Sequence, residues 1–397
     1  MRSLISLFLL LVFSLSSYQP VHAQTIGLPV NNLGVTYNFG LYIIFQAQLV
    51  LPSPKTEATL FFRADGEDAT HILPIQMDDQ GNSFLRYDMT DGVVRPFSIV
   101  RYHYRVKLAT GAEVSSDEFT FRYEDNRFAW QMLSDNNLIV HWYSGDLSFG
   151  QAALDVARRG IQKINDLLLV KLDEPVDIYL YADTVAQSSA VEMGGLTLVG
   201  GHASPDLRLV LASIAPGPEQ GLEMDRKIPH ELAHVLTYDL MGARYKLLPV
   251  WLQEGIAAQV ELSANPDYPL VLAQASGKKA LFPINDLCGA FPPETGRLFL
   301  AYAESESFTH YIIDKFGQTG LLALTSAYGD GLDCEQGMQQ AFGKQLTQVE
   351  LQWRASVLGQ DTLLVAFQNL FPYIAILSVL LVVSLIGAFT TRRSKNG

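Results

Sequence analysis

Residues 228–238 read Ile-Pro-His-Glu-Leu-Ala-His-Val-Leu-Thr-Tyr, and residues 249–258 read Pro-Val-Trp-Leu-Gln-Glu-Gly-Ile-Ala-Ala. On a helix, positions i and i+4 share a face, so His230 and His234 turn their imidazoles toward one point. Neutral imidazole is a good zinc ligand, and Glu231 stands where it can reach a water on such an ion. Leu232, Ala233 and Val235 are apolar, so this helix is expected to be partly buried, and buried histidines beside a carboxylate need a partner. Two histidines leave a site incomplete, because catalytic zinc usually takes three protein ligands and a water. Residues 235–253 separate His234 from Glu254, which offers the third. Pro249 can open a new helix, where its missing N–H costs little. Glu254 then reads either as a ligand or as an acid near a helix N-terminus, favoured by the dipole. A proline inside a helix costs about 3 kcal/mol, so the first helix is expected to start near Ile228, with Pro229 in its opening turn.

His-Glu-Leu-Ala-His followed by Trp-Leu-Gln-Glu-Gly-Ile-Ala resembles the gluzincin zinc metallopeptidases, in particular the bacterial peptidase MA-like domains. Ala301 to Ser305, Tyr311 to Gly317 and Gly343 to Trp353 are similar to the segments that follow the metal site in that family, so the likeness spans residues 130–358. The resemblance implies that His230, His234 and Glu254 bind one Zn2+ per chain, with Glu231 as catalytic base, and that the reaction is hydrolysis of a peptide bond by a zinc-activated water. A tetrahedral oxyanion needs a second donor. A tyrosine or histidine supplies it in related gluzincins, which points to Tyr302, with His310 as runner-up. Both also read as packing residues on an amphipathic helix.

Upstream of the motif, residues 30–125 look all-β. Val100, Tyr102, Tyr104, Val106 and Leu108 alternate with Arg101, His103, Arg105 and Lys107, a strand with one wet face. Weaker strand patterns at Tyr42–Leu51, Ala58–Phe62, Ser83–Tyr87 and Glu118–Tyr123 lie between Gly, Pro, Asp and Asn clusters, which suggests an immunoglobulin- or fibronectin-like sandwich. After Phe128 the pattern changes to strands at Leu138–Trp142, Val176–Tyr181 and Leu207–Ile214 around a helix at Gln151–Leu169. Helical stretches follow at 223–241, 250–262, 297–316 and 346–358, an α+β layout. Leu207–Ile214 is a possible edge strand for an extended peptide. His202, beside Gly200-Gly201, reads as a surface loop residue; His71 and His141 lie on β segments without a ligand partner.

The ends suggest an address. Arg2, the apolar run Leu4 to Leu15 and Val21-His22-Ala23 read as a signal peptide over residues 1–23. Phe371 to Phe389 carries no charge and is followed by Arg392, Arg393 and Lys395, the pattern of a transmembrane helix with a cytoplasmic tail. The expected order is therefore a signal peptide (1–23), a β-module (24–125), a metallopeptidase domain (126–358), a single membrane span (371–389) and a cytoplasmic tail (390–397). The catalytic part would lie outside the cell membrane.

The net charge of −13 removes the counterion-release drive for binding DNA or RNA, so no nucleic-acid partner is expected. The two cysteines, Cys288 and Cys334, form no CxxC zinc pair; they either close a disulfide or remain buried thiols. The leading expectation is a membrane-anchored zinc peptidase acting on peptides or proteins. The alternative is a non-enzymatic adhesion or scaffolding protein with a relic zinc domain. Glu231 favours the enzyme, because a structural site needs ligands but no base.

Overall fold

The computed structural model describes residues 27–50, 55–192 and 201–360, together with Leu370, Phe371, Tyr373, Ile374, Ile376 and Ser378. The N-terminal part consists of two antiparallel sheets. One has the order β1 (Val30–Asn38), β2 (Tyr42–Leu49), β5 (Asn82–Asp88). The other has β4 (His71–Ile75), β3 (Lys55–Ala64), β6 (Ile99–Leu108), β7 (Glu113–Ser115), with β8 (Phe119–Arg122) also pairing β6. Along β6 the period-two pattern places Val100, Tyr102, Tyr104 and Val106 inside. They meet the inner face of β2, where Phe45 packs 5.2 Å from Phe62 and 5.3 Å from Tyr102, so the two sheets face each other over one aromatic core.

A third sheet follows, in the order β12 (Gly201–Ser204), β13 (Leu209–Ser213), β11 (Val176–Tyr181), β10 (Leu138–Trp142), β9 (Gln131–Asp135). Strands β13, β11 and β10 are parallel, and both edges, β12 and β9, are antiparallel. The expected edge strand at Leu207–Ile214 is therefore interior, and β12 forms the edge instead. All six residues of β11 are buried, because both faces of the sheet are covered. Ile178 and Leu180 face helices α1 (Leu147–Leu168) and α3 (Gln220–Met241) in the main helical core. Tyr179 and Tyr181 face the sandwich, where Tyr179 lies 4.8 Å from Phe97 and the two hydroxyls donate to Glu124 and Asp125. Helix α2 (Thr184–Glu192) precedes β12 in the chain.

The rest is helical: α4 (Val250–Val260), α5 (Tyr268–Lys278), α6 (Thr295–Gly329), α7 (Cys334–Phe342) and α8 (Leu346–Leu358). Gly317 breaks α6 with φ 71°, a left-handed conformation that glycine adopts without a Cβ penalty. Cys288 and Cys334 form a disulfide that ties α7 to the segment before α6.

The expectation of an α+β chain ending in a membrane-spanning helix is corrected. The chain is α+β, with N-terminal sheets and a helical C-terminal part. Among the described residues no helix is long and apolar enough to cross a membrane. A span takes about 20 apolar residues, and between 371 and 389 the described helical positions are only Phe371, Tyr373, Ile374, Ile376 and Ser378. The other positions of the expected span, the tail at 390–397 and the signal segment at 1–23 lie outside the described residues. A single-pass cell-membrane protein with a cytoplasmic C-terminus is therefore not supported.

Candidate metal centre

Helix α3 carries His230, Glu231 and His234; α4 carries Glu254. One ligand-type atom from each of His230, His234 and Glu254 lies within 4.8 Å of the others. Oε2 of Glu254 is 3.2 Å from Nε2 of His230 and 3.8 Å from Nε2 of His234. The outward nitrogens have their own partners: Nδ1 of His230 is 3.0 Å from Glu261 Oε1, and Nδ1 of His234 is 2.9 Å from the Tyr245 hydroxyl. These bonds hold each ring with its Nε2 aimed inward, the arrangement that outer partners impose on metal-binding histidines. Two imidazole nitrogens and one carboxylate oxygen suit a divalent ion such as zinc, so the residues present fit a metal.

Two local features bring α3 and α4 to this geometry. Pro229 lies inside α3, not in its opening turn as expected. Its missing N–H leaves the carbonyl of Asp225 without its helical donor, and Leu262 N fills the vacancy at 2.8 Å. That bond draws the end of α4 onto α3 and places Glu261, one residue earlier, against His230. The second feature is Gly255. A Cβ there would lie 1.9 Å from Thr309 Oγ1 and 2.6 Å from the Ser305 carbonyl, so only glycine lets α4 approach α6 this closely. Helix α4 begins at Val250, directly after Pro249.

The electrostatics are those of a buried cluster of acids and imidazoles. Burial pushes the Glu231 carboxyl up to about 7 and the His234 imidazole down to about 4. Burial also acts against a charged His230, but its hydrogen bonds to Glu254 and Glu261 prevail and raise it well above its ordinary value. For Glu254, burial is outweighed by the two imidazoles, which hold the carboxyl low.

The cluster lies at the bottom of a cleft of about 700 Å³. His202, Ala203 and Pro205 form one wall, and Tyr268, Phe299 and Tyr302 an aromatic one. Tyr302 packs edge-on against Phe291 at 5.4 Å, and burial raises its hydroxyl pKa. His310 does not line the cleft; its exposed ring bonds Gln259 and faces Asp314. His202, expected on a surface loop, sits on edge strand β12 in the cleft wall. His141 is paired with Asp177 at 2.7 Å and stacked on Tyr179, and His71 is stacked on Phe62; both are structural. Glu261 and Tyr245 escaped the sequence reading. Glu261 lies just past the end of α4, where the backbone has left the helix, so helical spacing from Glu254 gives no signal for it.

No curated protein matches the chain. Among solved structures it is similar to one described as a myokine, 8% identical over 25% of this chain and 98% of that one, with a TM-score of 0.20. It is also similar to S. aureus TarS, 10% identical over 28% of this chain and 21% of that one, with a TM-score of 0.17. A third likeness is to the purple acid phosphatase PPD1 from yellow lupin (Lupinus luteus) seeds, 11% identical over 50% of this chain and 40% of that one, with a TM-score of 0.21. The chain spans less than half the length of the last two, and scores this low carry no argument about fold or function. The family match is of another kind. A model of the peptidase MA superfamily matches residues 156–359, which run from within α1 past the end of α8 and take in α3, α4, the aromatic wall and the disulfide. That match spans just over half of the chain, and it contains both histidines and the glutamate that converge at the bottom of the cleft. The chain belongs to the peptidase MA superfamily.

Proposed function

We propose that this peptidase is zinc-dependent, with His230, His234 and Glu254 as the ligands of one ion and Glu231 as general base. The observation that carries the proposal is the convergence of the two Nε2 atoms on one oxygen of Glu254, with both Nδ1 atoms engaged elsewhere. A divalent ion bound there would supply Lewis acidity toward a scissile carbonyl and lower the pKa of a coordinated water to about 7. Glu231, adjacent to His230 and lining the cleft, would take a proton from the attacking water and return it to the leaving amine. Tyr302 is the proposed donor to the oxyanion, because it lines the same cleft, whereas His310 does not. An extended peptide fits along β12, the sheet edge on the cleft wall. The division into a β-module over 24–125 and a peptidase domain over 126–358 belongs to the same proposal.

The test is metal analysis and a peptidase assay on the purified protein and its Glu231→Gln variant. About one zinc per chain in both, with activity in the parent only, is the expected result. A variant that still cleaves peptide would remove Glu231 from the mechanism. A non-enzymatic scaffold with a relic zinc site would bind metal and cleave nothing in either form.

A further inference from the structure

We propose that Arg95, carried by the N-terminal sandwich, is a positioning residue for the edge strand of the cleft, so that the sandwich is part of the substrate-binding apparatus. The inference rests on the peptidase reading above. Strand β12 is four residues long and pairs with β13 on one side only; no other strand joins it among the described residues. A short edge strand needs support from outside its ladder to hold a fixed position. The turn that follows it, Pro205–Leu207, carries that support.

Arg95 grips Asp206 in this turn through two parallel bonds, Nη1 to Oδ2 at 2.6 Å and Nη2 to Oδ1 at 2.8 Å, between residues 111 apart in sequence. Bidentate pairing of this kind fixes orientation as well as distance. The turn's far end is held separately: Arg208 donates to the Pro175 carbonyl at 2.8 Å and pairs with Asp239 on α3. Pro205 directly precedes the anchored Asp206, and His202 and Ala203 lie on the strand just before it; all three line the cleft.

The sandwich is shaped to aim this guanidinium. Glu67 Oε1 accepts from Arg95 N at 2.7 Å, Glu67 Oε2 accepts from Ala64 N at 3.1 Å, and Ser98 Oγ donates to the Arg95 carbonyl at 2.7 Å. Gly66 leaves the passage open, since a Cβ there would lie 1.8 Å from Arg95 Nη1. The partner is charged at neutral pH, because its bond to Arg95 holds the Asp206 carboxyl below its ordinary value. Arg95 also acts on the wall itself: burial lowers the His202 pKa, and the nearby guanidinium lowers it further.

The test compares the full chain with Arg95→Ala, Arg95→Lys and Asp206→Asn, by amide hydrogen exchange and by kinetics on an internally quenched octapeptide. Arg95→Ala and Asp206→Asn are expected to speed exchange across residues 201–208 about tenfold, with 176–181 unchanged. The same variants should raise KM about fivefold while kcat stays within twofold and zinc content is constant. Arg95→Lys, which keeps the charge but loses the fork, should fall between. Unchanged exchange at 201–208 overturns the proposal, as does faster exchange with no change in KM. If the parent cleaves no peptide, the peptidase reading fails by itself, and the exchange experiment still decides whether Arg95 holds the strand.

Discussion

Glu261 Oε1 lies 3.0 Å from Nδ1 of His230, on the opposite side of the ring from Glu254. One imidazole is thus held between two carboxylates from the same stretch of chain, one facing the proposed ion and one behind the ring. Glu261 is in place because Pro229 frees the Asp225 carbonyl, which then receives Leu262 N. Glu261→Ala should leave His230 free to rotate and weaken zinc affinity by about 10- to 100-fold. Competition with a chelator of known affinity measures this; an unchanged constant would show that the second carboxylate is incidental.

Tyr245 and Tyr302, both lining the cleft, should separate by their effects. Tyr245 is engaged with His234, so Tyr245→Phe should lower metal affinity and reduce activity chiefly through loss of zinc, recovering at saturating metal. Tyr302 holds no ligand, so Tyr302→Phe should lower kcat by about 10²- to 10³-fold at full zinc occupancy. Equal losses from both variants at saturating zinc would contradict this division.

The convergence of His230, His234 and Glu254 was legible in the sequence because helical period and a short spacing carry most of its geometry. His230, Glu231 and His234 lie within one turn and a fraction, and Glu254 sits on the next helix. What the sequence did not reveal depends on pairing between distant segments. Glu261 needs the Leu262–Asp225 bond, and His202 becomes a wall residue only because Gly201–Ser204 pairs with Leu209–Ser213. The packing of the sandwich against Tyr179 and Tyr181 was not legible, since the alternation of Asp177, Tyr179 and Tyr181 with Val176, Ile178 and Leu180 does not say what covers the tyrosine face. Pro229 was expected at a helix start because the donor that replaces its N–H comes from residue 262.

Glu304 on α6 is fully buried, with Oε1 accepting from Phe282 N at 3.0 Å and Oε2 without a hydrogen-bond partner among the described residues. Burial pushes its carboxyl up to about 8. The folded protein therefore keeps a proton there that the unfolded chain releases above about 4.3. Stability from this group is present in full below that value and falls as pH rises toward about 8, by on the order of a few kcal/mol. Glu304→Gln keeps the acceptor for Phe282 and removes the titration. Its unfolding free energy should vary less between pH 5 and 8 than the parent's, and denaturant titrations at several pH values would reveal an unchanged slope if the account is wrong.

The Cys288–Cys334 disulfide closes a separation of 46 residues, and the Cys288 carbonyl accepts from Val250 N at 3.1 Å, at the start of α4. Removing the bond by Cys288→Ala with Cys334→Ala should cost about 3–4 kcal/mol. Zinc affinity should fall as well, because α4 carries Glu254. Thermal unfolding with and without reductant checks the first expectation, and a midpoint insensitive to reductant would count against it.

The most direct measurement is a zinc-binding isotherm for the parent and for Glu254→Ala, made by competition with a chromophoric chelator near pH 7.5. Three ligands from two helices predict about one ion per chain in the parent and an affinity lower by about 100-fold or more in the variant. A parent that binds no zinc, or a variant that binds it equally well, would contradict the assignment of this cleft as a metal centre.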